Sequence, residues 1–235
     1  MDSSLYYLLL LACAAFSLWA STLVSSRFKK YSAQPSARGI TGFAAARAML
    51  DAKGLTHVQV LPTKGHLSDH FDPRNNTVYL SESVYGSANC AAVGVACHEA
   101  GHAVQHAEHY FPAKLRSAIV PATNFASRLA PFLILIGLAL SYTAPDLILL
   151  AYAGILGFAA AAFFQLVTLQ SEFDASRRAL EGIRSRSLVD AAALPACRKV
   201  LTAAALTYVA ALATGVIQML RMLAIVASSD RRRRR

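Results

Sequence analysis

From Leu5 to Val24 the chain reads LYYLLLLACAAFSLWASTLV, twenty residues without a charge, followed after Ser25 and Ser26 by the basic RFKK. At about 1.5 Å of rise per residue a helix of that length covers the roughly 30 Å hydrocarbon core of a bilayer. A cleaved signal peptide would carry its basic residues before the apolar run and its small-residue site after it. Here the basic residues follow, and the A-x-A match, Ala12-Cys13-Ala14, sits inside the run, so residues 1–26 are expected to stay as a transmembrane anchor. Three more such stretches follow. LAPFLILIGLALSY, a TAPD turn and LILLAYAGILGFAAAAFFQLV, ending at Val167, make a transmembrane hairpin over 129–168, with kinks expected at Pro121 and Pro131. LTAAALTYVAALATGVIQML gives a fourth membrane segment in 201–235, ending in Arg231 to Arg235.

Composition agrees. Residues of hydrophobic type make up 55% of the chain, charged ones 15%, and mean hydropathy is +0.41, which argues against an ordinary soluble globule. The excess of 23 Lys+Arg over 13 Asp+Glu suits lipid headgroups and cytoplasmic loops, so a lipid bilayer is the expected partner and nucleic acid is not. Residues 27–128 carry eleven Lys+Arg against six Asp+Glu, whereas the hairpin turn holds only Asp146, which puts the former on the cytoplasmic side. The segment 169–200, with Arg177, Arg178, Arg184, Arg186, Arg198 and Lys199, then falls on the same side. A fourth full crossing would leave the arginine tail outside, against the charge rule, unless the last run is re-entrant. Cys13, Cys90, Cys97 and Cys197 show no CxxC spacing and read as small apolar residues in a reducing setting.

Between the anchor and the hairpin the sequence turns amphipathic. Thr41 can cap a helix GFAAARAMLDAK closed by Gly54, with Phe43, Ala46 and Leu50 on its buried face. HVQVL and TVYLS alternate as short strands, separated by a long structured loop PTKGHLSDHFDPRNN. A helix is expected from about Ser87 to His106. It carries HEAGH, His98 to His102, which matches HExxH. Residues four apart share a helix face, so two imidazoles can meet one zinc ion, and Glu99, beside the first, becomes the general base for the water that the metal activates. His106 continues the stripe but lies about 12 Å along the axis from His98, too far for the same ion. His106 and His109 are therefore expected to be solvated.

A catalytic zinc keeps three protein ligands and an open position. The third is sought in LQSEFDASRRAL, where Glu172 is the first choice and Asp174, on nearly the opposite helix face, the alternative; either could instead pair with Arg177 or Arg178. In SDHFDP, His70 could donate to the oxyanion of a peptide under attack, Asp69 could orient a zinc-binding histidine, or the segment could be an Asx-rich loop held by Asp69 and Asp72.

GHLSDHFDPRNNTVYLSESVYGS, VACHEAGHAVQHAEHYFPAKLRSAIVP and SEFDASRRAL, in that order, resemble the YugP-like neutral zinc metallopeptidases, multi-pass membrane proteases of bacteria. The resemblance runs from about Gly42 through the fourth span. It implies one catalytic zinc on His98 and His102, Glu99 as base, and a place in the bacterial inner membrane. Glu172-Phe173 further resembles the Glu-Phe that supplies the third ligand in the CAAX prenyl protease and HtpX group. That group has an aspartate four residues after the glutamate, where this chain has Ser176.

The expected protein is thus mainly α, with multi-pass transmembrane helices and a small zincin-like α+β catalytic region. Its expected function is hydrolysis of peptide bonds in membrane proteins or peptides, as a zinc-dependent metalloendopeptidase. The rival is a membrane scaffold or chaperone-like regulator with a non-catalytic zinc. The sequence names no partner protein.

Overall fold

The computed structural model describes the backbone of residues 3–233, and the side chains of these apart from Ser3, Val120, Pro121, Arg232 and Arg233. In chain order the elements are α1 (Ser3–Ser32), α2 (Gly42–Asp51), β1 (Gln59–Thr63), β2 (His70–Asp72), β3 (Thr77–Ser81), α3 (Glu82–Tyr85), α4 (Cys90–Ala107), α5 (Phe111–Leu140), α6 (Ile148–Ser185) and α7 (Leu194–Arg233). Among the described residues, four helical stretches are long and apolar enough to cross a membrane: Ser4–Ser32, Ala122–Leu140, Pro145–Ser185 and Ala191–Arg231. The fold is mainly α with a small sheet, as expected.

Two compact units emerge. One comprises Met1–Leu18, Leu115–Thr168 and Tyr208–Arg235; the other comprises Trp19–Lys114 and Leu169–Thr207. In the first, apolar side chains point outward: Leu8, Leu11, Phe125, Leu135, Leu149 and Leu156 are all exposed. Helices α5 and α6 approach through small residues, and a Cβ on Gly154 would come within 2.7 Å of the Ala130 carbonyl oxygen. Outward grease with small residues inside is the packing expected in lipid, where burying Leu against Leu gains nothing over leaving it in acyl chains. In this unit the Arg221 guanidinium lies 3.6 Å over the Tyr6 ring, and Tyr152 Oη meets Asp230 at 3.5 Å. The starts of α1 and α6 therefore lie beside the C-terminal part of α7.

The second unit has a conventional core in which Leu50, Val78, Leu80, Val84, Val93, Val104 and Ile183 are fully buried. Helix α2 begins where Thr41 Oγ1 accepts from the Ala44 amide at 3.2 Å, and it packs on α4. Gly54, at φ 72°, turns the chain where only a residue without Cβ does so freely. In the sheet β3 is central, parallel to β1 and antiparallel to β2.

Several expectations need correction. Phe43 is not on the buried face of α2; it is partly exposed and lies against the Tyr85 ring, with centroids 5.0 Å apart, while Ala45 and Met49 are buried instead. The segment between the two expected strands contains a third, β2. Three residues before a proline are too few to show an alternation. Helix α6 continues past the apolar run that ends at Val167 to Ser185, and carries Glu172. A change from apolar to polar composition alters what surrounds a helix, and nothing in QSEFDASRRAL breaks one. Helix α5 continues as one helix through Pro121 and Pro131, and α7 is one helix from Leu194 to Arg233. Arg234 and Arg235 lie outside the described residues.

Candidate metal centre

Helix α4 starts at Asn89, whose side-chain oxygen accepts from the Ala92 amide at 2.9 Å, satisfying one of the donors a helix start leaves open. It ends after Ala107, with Glu108 and then His109, whose φ of 54° turns the chain out of the helix. Along this rod Cys90 to Gly94, Ala96, Cys97, Ala100, Ala103 and Val104 are buried. That burial fixes the rotation of α4, and His98 and His102 come to share one partly buried face. Their rings lie 4.7 Å apart, edge to face.

The third member arrives on α6. Glu172, 4% exposed, places Oε2 at 3.1 Å from His98 Nε2 and at 3.6 Å from His102 Nε2. Potential ligand atoms of the three residues all lie within 4.8 Å of one another. Bonds of about 2.0–2.1 Å would put the ligand atoms of a tetrahedral zinc site roughly 3.3 Å apart. The two nitrogen-to-oxygen distances, 3.1 and 3.6 Å, bracket that value, and two imidazoles with one carboxylate are a donor set zinc accepts. The residues present fit the ion.

A glycine makes the approach possible. A Cβ on Gly101, inside HEAGH, would come within 2.8 Å of the carbonyl oxygen of Ala175, three residues after Glu172. Since the obstacle is backbone, a side chain at 101 would push α6 and its carboxylate away from the histidines.

Both ring nitrogens that face away from Glu172 have partners. His98 Nδ1 lies 3.2 Å from Ser176 Oγ, and His102 Nδ1 lies 3.0 Å from Gln105 Oε1. Ser176 therefore fills the place where the CAAX protease and HtpX pattern has an aspartate. Asp174 is turned elsewhere: it accepts from Gln105 Nε2 at 2.9 Å and from the guanidiniums of Arg177 and Arg178. Asp174 thus takes the ion-pair role weighed for both acids, and Glu172 stands with the histidines.

Glu99 is 8% exposed, one residue after His98, and among the described residues its carboxylate has no hydrogen-bond or ion-pair partner. His70 sits on β2, exposed, with Nδ1 at 2.9 Å from the Ser68 carbonyl and its ring stacked on Tyr79. Asp69 accepts from the Ser81 amide at 2.7 Å and from its hydroxyl, fastening the segment to the end of β3. Burial pushes its carboxyl above the ordinary value, and the Ser81 bonds offset this only in part. Asp72 is held by Arg74, so the structural reading of SDHFDP accounts for both aspartates. His106 and His109 are exposed, His106 resting against the Phe71 ring. Cys97 is fully buried, and burial pushes its thiol well above the ordinary value, as expected of a cysteine that serves as a small apolar residue.

Its candidate spans make this chain a helical membrane protein, and two imidazoles with a buried carboxylate give it a candidate metal centre. The chain belongs to the neutral zinc metallopeptidase family, whose model, described as "Putative neutral zinc metallopeptidase", matches residues 6–227. It is 45% identical over 221 residues to "Putative membrane protease YugP" of Bacillus subtilis (strain 168), covering 94% of this chain and 96% of that protein. No solved structure matches it.

Gln105, Ser171 and Gly101 escaped the sequence reading, which noted Ser176 only as a departure from the resembled pattern. Gln105 carried one weak signal, since three residues after His102 it lies on the same side of an apolar helix.

Proposed function

We propose that this protein is a membrane-embedded zinc metalloendopeptidase that holds its ion on His98, His102 and Glu172 and uses Glu99 as general base. The observation that carries this reading is the meeting of Glu172 with both Nε2 atoms across 74 residues of sequence. Zinc bound there would supply a Lewis acid for the scissile carbonyl and a more acidic water at its open position. Glu99 would take the proton from the attacking water and hand it to the leaving amine. Its uncommitted carboxylate on the same turn as His98 supports that role. Ser176 and Gln105 would hold the imidazoles in place while charge develops.

An extended peptide can add to a sheet edge, and β1 and β2 are both edges because β3 lies between them. His70, exposed on β2, commits Nδ1–H to the Ser68 carbonyl, so it would donate to the oxyanion from Nε2 only as the imidazolium. The substrates we propose are membrane proteins or peptides released from them. The excess of Lys and Arg in 27–128 and 169–200 supports a site on the cytoplasmic side of a bacterial inner membrane.

Glu99→Gln tests the enzyme reading. Zinc content of the purified full chain should stay at one ion while cleavage of a membrane-protein substrate falls by about 100-fold or more, the scale of a lost general base. Full cleavage by this variant would leave the scaffold reading.

A further inference from the structure

Gln105 is wholly buried, and its side-chain amide is surrounded by groups that allow it one orientation. Nε2 donates to the Ser171 carbonyl at 2.8 Å and to Asp174 Oδ2 at 2.9 Å. A backbone carbonyl and a carboxylate fixed by two guanidiniums can only accept, so the amide nitrogen must point at them. The amide oxygen therefore points the other way. It accepts from Ser171 Oγ at 3.1 Å and faces His102 Nδ1 at 3.0 Å. An oxygen cannot donate, so Nδ1 must carry the hydrogen and donate it. A neutral imidazole with hydrogen on Nδ1 has its lone pair on Nε2, the atom 3.6 Å from Glu172 Oε2.

We infer that Gln105 is a positioning residue that dictates the tautomer of His102, and that Asp174, clamped by Arg177 and Arg178, is what orients Gln105. The chain of constraint starts at the surface, because Arg178 also holds Glu108 and Glu108 holds Lys53. Each step inward replaces a charge with a more sharply directed bond, until one nitrogen of one histidine is left as the sole acceptor. His98 lacks such a relay. Its partner, Ser176 Oγ, can donate or accept, so it places the ring without dictating the tautomer. Ordinarily a metal-binding histidine leans directly on a carboxylate or carbonyl. In this chain the carboxylate is one residue removed, and an amide passes on its direction.

The inference rests on reading His98, His102 and Glu172 as the metal ligands, and its test separates the two. The full chain, labelled with ¹⁵N-histidine, is reconstituted in lipid nanodiscs with and without zinc, and His102 is assigned by comparison with His102→Asn. In both forms the wild-type His102 should show a protonated Nδ1, and in the zinc-bound form Nε2 should be the unprotonated nitrogen. Gln105→Met keeps the side-chain length but removes donor and acceptor. It should lower zinc affinity, read by chelator competition, by about 10–100-fold, and its metal-free His102 should become a mixture of tautomers. A wild-type His102 bearing its lone pair on Nδ1 would overturn the inference, as would a folded Gln105→Met with unchanged affinity. Should that variant fail to fold, the wild-type spectrum decides alone. Should the wild-type chain take up no zinc, the metal reading falls, while the metal-free spectrum still decides the role of Gln105.

Discussion

Gly101 and Gly154 stand one in each compact unit, both where a helix backbone comes too near for a side chain. The Ala175 carbonyl oxygen is 2.8 Å from where a Cβ on Gly101 would lie, and the Ala130 carbonyl oxygen is 2.7 Å from that of Gly154. Around Gly154 the neighbours are Ala130 and Ile134, and close contact yields packing. Around Gly101 the approaching helix carries Glu172, Asp174 and Ser176, and the same closeness yields a donor set with its supports. A contact that serves packing loses stability in proportion to its disturbance. One that serves a metal centre fails more abruptly, because ligand atoms must lie within tenths of an ångström of their places.

The largest break in this parallel is expected from Gly101→Val. Displacing α6 should cost more than about 100-fold in zinc affinity, beyond the range for losing an outer partner of a ligand, with helix content by circular dichroism little changed. Gly94→Ala is its control: the added Cβ would meet Cys197 at an ordinary 3.6 Å, and zinc affinity should not move. Next comes Gly154→Val, which should destabilise the protein by about 1–3 kcal/mol through overpacking, seen as an earlier thermal transition, yet leave zinc stoichiometry intact in the folded fraction. Ser176→Ala should do least. His98 keeps Glu172 beside it and loses one neutral hydrogen bond, so zinc affinity should fall by about tenfold or less, and less than in Gln105→Met.

Legibility differed by element. Thr41 announced the start of α2, and TVYLS coincides with β3, because caps and alternation are local. The four apolar stretches were visible for the same reason. The extent of α6 beyond Val167 was not marked in the sequence, since the polarity of a segment reports its surroundings and not its backbone. Phe43 was misplaced because the face a short helix buries depends on what packs against it, and Tyr85 drew that ring to the surface.

At the site, His98, Glu99 and His102 could be read together because helix geometry alone puts residues four apart on one face. Glu172 could be ranked first by its acidity and position, with Asp174 as the alternative, but both lie on one helix and only its rotation separates them. Burial of Ala175, Ala179 and Ile183 fixed that rotation, turning Glu172 to the imidazoles and Asp174 to Gln105 and two arginines. The sequence by itself therefore determined the apolar spans, the amphipathic region between them and the spacing of two histidines, all consequences of periodicity along one segment. The tertiary structure decided which carboxylate joins them, why position 101 needs a glycine, and which nitrogen of His102 carries its hydrogen. Those depend on contacts between segments some seventy residues apart, which no local pattern encodes.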